Sequence, residues 1–537
     1  MPPQRSPLRT RLDQFLLNEG PRVIFLSFWS LLQFLIFYFS FEIYNRSIHY
    51  SQARVKLGVT LGVARGAAAV INFDCGVILF SVCRNLISVL RSTFLNGVVP
   101  FDKNVLFHKT VAWSIVLFSV VHCAGHYVNY YRLELAEQRE KGEVKRSAQY
   151  MALFTGPGYT GHLLALILFL MVTSSVERVR RKGFETFWYT HHLFILFFLI
   201  LMYHGAFCFI RADTPPYCKS SPTSYKFVLG SLFFYILERT VREFRARLPA
   251  TSISKIVLHP SKVLEVQIKK TNIHQGDSSF FRAKAGQYIF LNCPDISAFE
   301  WHPFTITSAP EEDYVSVHIR IVGDWTTAFA RRLGPTDPPI ITLPRVLLDG
   351  PYGSPSEDAF NYEIAVLVGA GIGVTPFASV LKHIWYSVMQ PTKIITLRKV
   401  YFFWVCRDRD AFEWFQDLLI ALEEQNLSDF LEIRSYLTGE LGKEELDTVL
   451  MEARASAAAA AARHFRRLRS PTYYGRPNFD KIFGELALAH PREHGQVGVF
   501  FCGPKPLGKT LHRCARKYKF KFHKGNHNKR AIVHIHV

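Results

Sequence analysis

The chain has 537 residues, of which 49% are apolar, 14% aromatic and only 20% charged, against roughly 25% charged in a soluble domain. That composition excludes a small soluble binding module, and a mean hydropathy of only +0.09 excludes a chain buried in lipid throughout. The net charge of +21 would suit nucleic acid, but Arg5, Arg9 and Arg11 precede the first apolar run, Arg178, Arg180, Arg181 and Lys182 fill a polar break, and Arg239, Arg242, Arg245 and Arg247 follow the last run. Cations that flank spans are what membrane orientation requires, so membrane lipid is an expected partner and nucleic acid is not.

A membrane span needs about 20 mostly apolar residues. Residues 1–21 read as a cytosolic N-terminal segment, and spans are expected near 22–44, 66–90, 104–128, 159–176, 187–206 and 225–243, a six-helix transmembrane domain over 22–247. The first run is too long and too aromatic for a signal peptide and lacks a small-residue cleavage site, so it reads as a retained helix. With the N-terminus in the cytosol, the basic breaks at 91–103 and 177–186 and the segment after 243 all fall inside, which places both termini there. The outer loop 207–224 then holds Cys208 and Cys218, either as a disulfide or as two free thiols. Asn45-Arg46-Ser47 is a glycosylation acceptor pattern at the outer boundary, read against a bare Asn. Nine cysteines without a C-x-x-C pair give neither a zinc cluster nor a c-type haem attachment.

Polar residues inside spans are costly and usually functional. The third span carries His108, His122 and His126, and the fifth carries His191, His192 and His204. The 14 residues from His108 to His122 correspond to about 21 Å of rise and nearly four turns, so both rings leave one helix face at two depths. Imidazoles paired across two helices suit bis-histidine ligation of two b-type haems, as against hydrogen-bonded structural histidines. His191 and His204 are 13 apart, which offsets their rings by about 140° on an ideal helix. Either the fifth helix is distorted or tilted, or His192 replaces one of them. Asp74 and Arg84 fall in the second span; Arg84 would meet haem propionates, pair with Asp74 or snorkel.

Beyond Arg247 the pattern alternates, as in Ile253–Leu258 and Val263–Ile268, and a small antiparallel β-barrel is expected over 248–355. Within it, Trp301-His302-Pro303-Phe304-Thr305 would set an aromatic ring and a hydroxyl beside a flavin. The string His318-Ile319-Arg320-Ile321-Val322-Gly323-Asp324-Trp325-Thr326 supplies Arg320 and a Gly323-x-x-Thr326 turn for the pyrophosphate, with His318 among the flavin contacts.

An α/β nucleotide domain is expected over 356–537. The apolar run Ile364–Val368 leads into Gly369-Ala370-Gly371-Ile372-Gly373-Val374-Thr375-Pro376, a strand, glycine turn and helix where backbone N–H groups approach a phosphate. Thr375-Pro376 stands where a dehydrogenase fingerprint has its third glycine, which points to the ferredoxin-reductase type. Later strands end at Cys406-Arg407 and Cys502-Gly503-Pro504, at the edge where such sheets bind ligands. Arg407 and Arg476 would pair with a 2′-phosphate and favour NADPH over NADH. The low-complexity insertion at 452–469, with Ala457–Ala462 followed by four arginines, reads as a solvated helix or loop, or as a basic helix contacting lipid or a regulatory protein.

Phe107-His108-Lys109, Phe187-Trp188-Tyr189-Thr190-His191-His192, the Trp301–Thr305, Val322–Thr326 and Gly369–Phe377 strings and Tyr474-Gly475-Arg476-Pro477-Asn478 together resemble the NADPH oxidases of the phagocyte oxidase catalytic type, within the ferric reductase-like transmembrane superfamily. The resemblance runs from about residue 20 to 527. It implies a membrane α-helical bundle of six transmembrane helices plus a C-terminal ferredoxin-reductase-like module, a β-barrel FAD domain followed by an α/β Rossmann-like NADPH domain. By it, His108 and His191 would hold an inner haem, His122 and His204 an outer one, and Arg84 and His126 would lie where oxygen is reduced. The implied route is NADPH to FAD, through two haems to dioxygen, giving superoxide at the opposite face of a plasma membrane or endomembrane. Cytosolic activator proteins, a Rac-type small GTPase and a small membrane protein are the implied partners. One departure is that His527 stands where the family ends in an aromatic, followed by the tail Asn528–Val537. Two other readings are a ferric or cupric metalloreductase with the same layout, and a non-enzymatic proton conduit or scaffold.

Overall fold

A computed structural model describes residues 7–525 except 208–210, 214, 216, 218–223, 248–250, 260–261, 270–280, 335–342, 390–395, 408–412, 425–428, 440–469 and 492–495. Cys208, Cys218, the 452–469 insertion and His527 lie outside the described residues. The chain divides into a unit over 21–242 and a second made mostly of 243–536.

The first unit is helical. In chain order its elements are α1 (Pro7–Arg46), α2 (Ser51–Leu57), α3 (Thr60–Phe80), α4 (Arg84–Arg91), α5 (Asn104–Lys141), α6 (Ala148–Phe154), α7 (Gly156–Ser175), α8 (Glu177–Lys182), α9 (Phe184–His191), α10 (Phe194–His204) and α11 (Ser224–Arg247). Five stretches are long and apolar enough to cross a bilayer: Phe15–Arg46, Thr60–Phe80, Phe101–Lys141, Gly156–Ser175 and Glu185–His204. Phe28, Phe34, Trp113 and Phe169 are more than 60% exposed on their outward faces, as expected of helices whose outer solvent is lipid.

Two expected spans differ from the sequence reading. The second, expected to reach residue 90, ends at Phe80; the chain turns at Ser81–Cys83 and restarts as the separate α4. The sixth is helical as α11 but falls outside the apolar set, because it carries Lys226, Glu238, Arg239 and Arg242. The buried Glu238 carboxylate accepts the N–H groups of Asn85 (3.0 Å) and Leu86 (3.2 Å), so this charge caps the positive end of α4.

α3 and α5 run antiparallel in close contact. Thr60 pairs with Asn129, Ala64 with His122, and Ser81 with His108. A Cβ on Gly125 would lie 3.0 Å from that of Ala64, so this glycine lets the two backbones approach as small residues do between membrane helices.

The second unit holds three sheets. Strands β1 (Ser252–His259), β2 (Val263–Lys269) and β5 (Tyr314–Arg320) form one antiparallel sheet, and β3 (Tyr288–Asn292), β4 (His302–Thr305) and β6 (Leu347–Tyr352) another. A bridge between Ile306 and Val317 carries the ladder from β4 toward β5. Inward residues such as Val266, Ile289, Phe304, Val317 and Phe329 share one core, with Phe329 supplied by α12 (Asp324–Leu333).

The third sheet is parallel, in the order β10-β9-β8-β7-β11-β12, built from β7 (Ile364–Ala370), β8 (Lys399–Cys406), β9 (Leu431–Leu437), β10 (Thr472–Tyr474), β11 (Val497–Cys502) and β12 (Lys521–Lys524). Its described helices are α13 (Thr375–Met389), α14 (Glu413–Glu424), α15 (Phe479–Ala489) and α16 (Lys505–Lys517). Every residue of β7 is buried, which explains its unbroken apolar run. The chain builds outward from β7 to β10, then returns to add β11 and β12 on the other side. The strand order therefore reverses between β7 and β11, and that switch point is where open α/β sheets bind ligands.

Candidate functional site

The α5 helix and the broken α9–α10 rod bring four imidazoles into two pairs. The ring centroids of His108 and His191 are 6.3 Å apart, and those of His122 and His204 are also 6.3 Å apart. A metal bound at about 2 Å by one nitrogen of each of two opposed imidazoles sets the ring centres roughly 6 Å apart. Both pairs therefore have the spacing of an axial ligand pair.

Hydrogen bonding fixes which ring nitrogen is available. The Ser81 hydroxyl donates to the Ile78 carbonyl at 2.6 Å, so at 3.0 Å it accepts from His108 Nδ1. His122 Nδ1 donates to the Ala64 carbonyl at 2.9 Å. The Thr160 hydroxyl donates to the Gly156 carbonyl at 2.6 Å and accepts from His204 Nδ1 at 2.7 Å. In all three rings the proton sits on Nδ1, which leaves the Nε2 lone pair for a metal. His191 Nδ1 is buried with no hydrogen-bond partner among the described residues.

The fifth span is distorted where its spacing demanded it. α9 stops at His191 and α10 starts at Phe194, with short-range bonds from Leu193 N to Thr190 O and from Ile195 N to His192 O, each 3.2 Å. Such i→i+3 bonds overwind a helix. His192 faces elsewhere: its Nδ1 bonds the Trp188 carbonyl at 2.7 Å and its ring packs on Trp188 at 4.1 Å.

His126 stands beside the second pair, its ring 4.6 Å from that of His122, with Nδ1 buried and lacking a hydrogen-bond partner among the described residues. Arg84 does not join it. Because α3 and α5 are antiparallel, Arg84, at the start of α4, belongs to the His108 end, where it is 9% exposed. The arginine within electrostatic reach of His122, His126 and His204 is Arg65, one residue after the Ala64 that binds His122. Its Nε is buried without a hydrogen-bond partner among the described residues, and its guanidinium lies 5.2 Å from the Tyr44 ring centre. The sequence reading missed Arg65 because it sits one residue outside the expected second span.

In the antiparallel sheets, alternation sorts the Trp301–Thr305 string. His302 and Phe304 point into the core, with the His302 ring 4.1 Å from Trp325, while Pro303 and Thr305 are half-buried on the other face. The His302 and Phe304 side chains thus pack inward, with Phe304 part of the core shared by the two antiparallel sheets. Thr326 is also a positioning residue, since its hydroxyl accepts the N–H groups of Val322 (3.1 Å) and Gly323 (2.9 Å) and closes the turn that opens α12. Arg320 and the first N–H groups of α12 are the groups of this loop whose charge suits an anion. The His318 ring is held between Thr307 Oγ1, 2.9 Å from Nδ1, and Glu265, 3.7 Å from Nε2.

At the switch point two loops interlock. A Cβ on Gly373 would lie 2.4 Å from the Cys502 carbonyl oxygen, and one on Gly503 would lie 2.7 Å from the Ala370 Cβ. Gly371 takes φ +58°, a left-handed conformation that glycine adopts without strain. Gly369 is the last residue but one of β7, Thr375 and Pro376 start α13, and Pro504 caps α16. Burial pushes the Cys502 thiol up, so it stays protonated. Arg407 follows β8 and Arg476 follows β10, and bonds from Thr438 N to Cys406 O and from Gly475 N to Leu437 O, both 2.8 Å, align the ends of β8, β9 and β10 in one row. Both arginines are exposed along that edge.

Three family models match in sequence: a ferric reductase like transmembrane component over residues 65–202, an FAD-binding domain over 249–356 and a ferric reductase NAD binding domain over 362–516. Among curated proteins, a superoxide-generating NADPH oxidase heavy chain of Dictyostelium discoideum is 40% identical, over 97% of this chain and 100% of its own length. NADPH oxidase 1 of Mus musculus is 38% identical over 96% of this chain and 94% of its own, and NADPH oxidase 3 of Homo sapiens 37% over 96% and 98%. Identity of that order along nearly the whole of both chains means that this protein belongs to the NADPH oxidase family.

Proposed function

We propose that the chain moves electrons from cytosolic NADPH through FAD and two b-type haems to dioxygen on the opposite face of the membrane, releasing superoxide. The observation that carries this reading is the double imidazole pair with the proton held on Nδ1 in three of its four rings, a donor set that fits low-spin haem iron. His108 and His191 would hold one haem and His122 and His204 the other. When bound, FAD splits the hydride of NADPH into single electrons and the haems relay them through hydrocarbon.

The chain's own residues supply orientation and charge. Arg65 and His126, with a buried N–H or ring nitrogen that has no hydrogen-bond partner among the described residues, would stabilise negative charge developing on oxygen. Thr305, Pro303, Arg320 and the α12 N-terminus would hold the flavin, in two sheets that wrap as a barrel. Gly369, Gly371, Gly373, Thr375, Pro376 and Cys502-Gly503-Pro504 would shape the nicotinamide side of the crevice, and Arg407 and Arg476 would take the 2′-phosphate. α11 would be the sixth span, with both termini cytosolic. Cytosolic activators, a Rac-type GTPase and a small membrane protein complete the proposal on family resemblance.

The test is cytochrome c reduction by membranes bearing the full chain and given NADPH. Reduction abolished by superoxide dismutase is expected. Reduction of ferric or cupric chelates without superoxide would instead establish a metalloreductase, and no NADPH-dependent haem reduction would remove the enzymatic reading.

A further inference from the structure

Three side chains of α13 meet the loop between β4 and β5, and no step above uses them. α13 starts at Thr375, directly after the glycine turn of the switch point, and carries Ser379, Lys382 and His383. Positions i, i+3 and i+4 form one face of a helix. Ser379 stands about 6 Å of rise beyond Thr375, so this face begins one turn from the crevice.

The Ser379 hydroxyl, with no exposed surface, donates to the Ser308 carbonyl at 2.7 Å. Lys382 Nζ donates to both oxygens of Glu312, at 3.1 and 3.3 Å. His383 Nδ1 is 2.9 Å from the Glu311 carboxylate.

The receiving carboxylate is oriented by other groups as well. Glu312 Oε2 accepts the Ala309 N–H at 2.6 Å, and Oε1 accepts the Tyr314 hydroxyl at 2.7 Å. Burial, reinforced by the Glu312 carboxylate, pushes the Tyr314 hydroxyl up, so it stays a donor. The loop is tied in turn to β5, where Ser308 Oγ accepts the Ser316 N–H at 3.1 Å and the Thr307 N–H reaches the Ser316 carbonyl at 2.8 Å. An isolated exposed ion pair contributes little. Here the Lys382 and Glu312 side chains are only 22% and 12% exposed, and the carboxylate has little freedom left to lose. Lys382 also lies within electrostatic reach of His318 on β5, so the test has to separate a brace from a flavin contact.

We infer that Lys382 and Glu312, together with Ser379 and Ser308, are positioning residues for hydride transfer. They brace the helix that opens the nicotinamide crevice against the loop that leaves the flavin strand β4, and so hold the two sides of the crevice at a fixed separation. The inference rests on the NADPH-to-FAD reading above. In that step a hydride, with its electron pair, passes from the dihydronicotinamide to the flavin and leaves NADP+ and reduced flavin; neither Lys382 nor Glu312 exchanges a proton in it. Reacting atoms have to approach to about 3–3.5 Å, and a misplacement of about 1 Å costs on the order of 100-fold, so slack at this contact reaches the rate.

The experiment uses the full-length protein with its haem and flavin as wild type, Lys382→Met, Lys382→Arg and Ser379→Ala. Anaerobic reduction of the flavin by saturating NADPH is expected to slow by about 10–100-fold in Lys382→Met, less in Ser379→Ala, and to recover in Lys382→Arg. Flavin content, the NADPH concentration at half the maximal rate and reduction by dithionite should match wild type in all three. Amide hydrogen exchange of the oxidised, nucleotide-free protein reads the contact without turnover. Peptides covering 306–316 and 375–389 should exchange faster in Lys382→Met and Ser379→Ala than in wild type and Lys382→Arg. Wild-type exchange, or wild-type flavin reduction, in folded Lys382→Met would overturn the brace. Loss of flavin from that variant would make Lys382 a flavin ligand, and a raised half-saturating NADPH concentration at an unchanged maximal rate would make it a nucleotide ligand; either result also overturns it. A wild type whose flavin stays oxidised under NADPH would defeat the hydride reading and the positioning role with it, while the exchange data would still show whether the contact exists.

Discussion

Gln33 on α1 holds both carboxylate oxygens of Asp74 on α3 at 2.7 Å, and the same amide nitrogen reaches Ser114 Oγ on α5 at 2.9 Å. Asp74 has no exposed surface, and Gln33 and Ser114 are under 10% exposed. Ser114 lies between His108 and His122 in sequence, so the network ties three helices together at a depth between the two imidazole pairs. Leaving a buried polar group unsatisfied costs about 1–3 kcal/mol, whereas an isosteric amide keeps most of the bonds. Gln33→Leu is therefore expected to lower the melting temperature of the purified haem-loaded protein measurably, and Asp74→Asn to stay close to wild type.

The four paired histidines and His192 separate cleanly in a haem assay. Reduced-minus-oxidised spectra are expected to lose b-type absorbance in His108→Ala, His122→Ala, His191→Ala and His204→Ala and to keep it in His192→Ala, whose ring is committed to Trp188. Ser81→Ala and Thr160→Val remove only the acceptor behind a ligand. Loss of such an outer partner weakens binding about 10–100-fold, so these variants should retain haem at high concentration and lose it faster on dilution.

Arg65 and Arg84 give opposite expectations. If Arg65 stabilises charge on reduced oxygen, Arg65→Leu should cut superoxide production on the order of 100-fold, the cost of removing one preorganised donor, with NADPH-driven haem reduction intact. Arg84→Leu should lower the yield of folded protein instead, because a buried cation at the α4 junction is lost. Equal activity per haem in Arg65→Leu and wild type would refute the assignment.

Gly373→Ala forces a methyl group against the Cys502 carbonyl, and overpacking of this sort costs about 1–3 kcal/mol. NADPH-driven flavin reduction should slow while dithionite-driven reduction is unchanged. Removing Arg407 and Arg476 together should raise KM for NADPH by about 10–100-fold, as expected for charge-assisted bonds of about 1.5–3 kcal/mol, and leave NADH turnover almost unaltered. Steady-state kinetics with both nucleotides measure this directly.

Much of the soluble half is legible in the string of residues because local chemistry dictates it. The apolar run at Ile364–Val368 has to be a strand buried on both faces, and the glycines after it have to make a turn. The 14-residue step from His108 to His122 likewise puts two rings on one face of any straight helix. Less legible were the elements whose boundaries depend on charge. The second span stops at Phe80 because α4 is capped by Glu238 from a helix some 150 positions later, and no local pattern announces that partner.

What the sequence determined alone, then, was periodicity: which helices carry facing imidazoles, that the fifth helix could not present His191 and His204 on one face while straight, and where a phosphate-binding turn follows a strand. What only the tertiary structure decided was partnership. It placed Arg65 instead of Arg84 beside His126, turned His302 inward, committed the Thr326 hydroxyl to its own turn, and brought Lys382 against Glu312. The physical reason is that a period is set by backbone geometry within a few residues, whereas the partner of a buried polar atom is chosen by elements far away in the chain that come to rest against it.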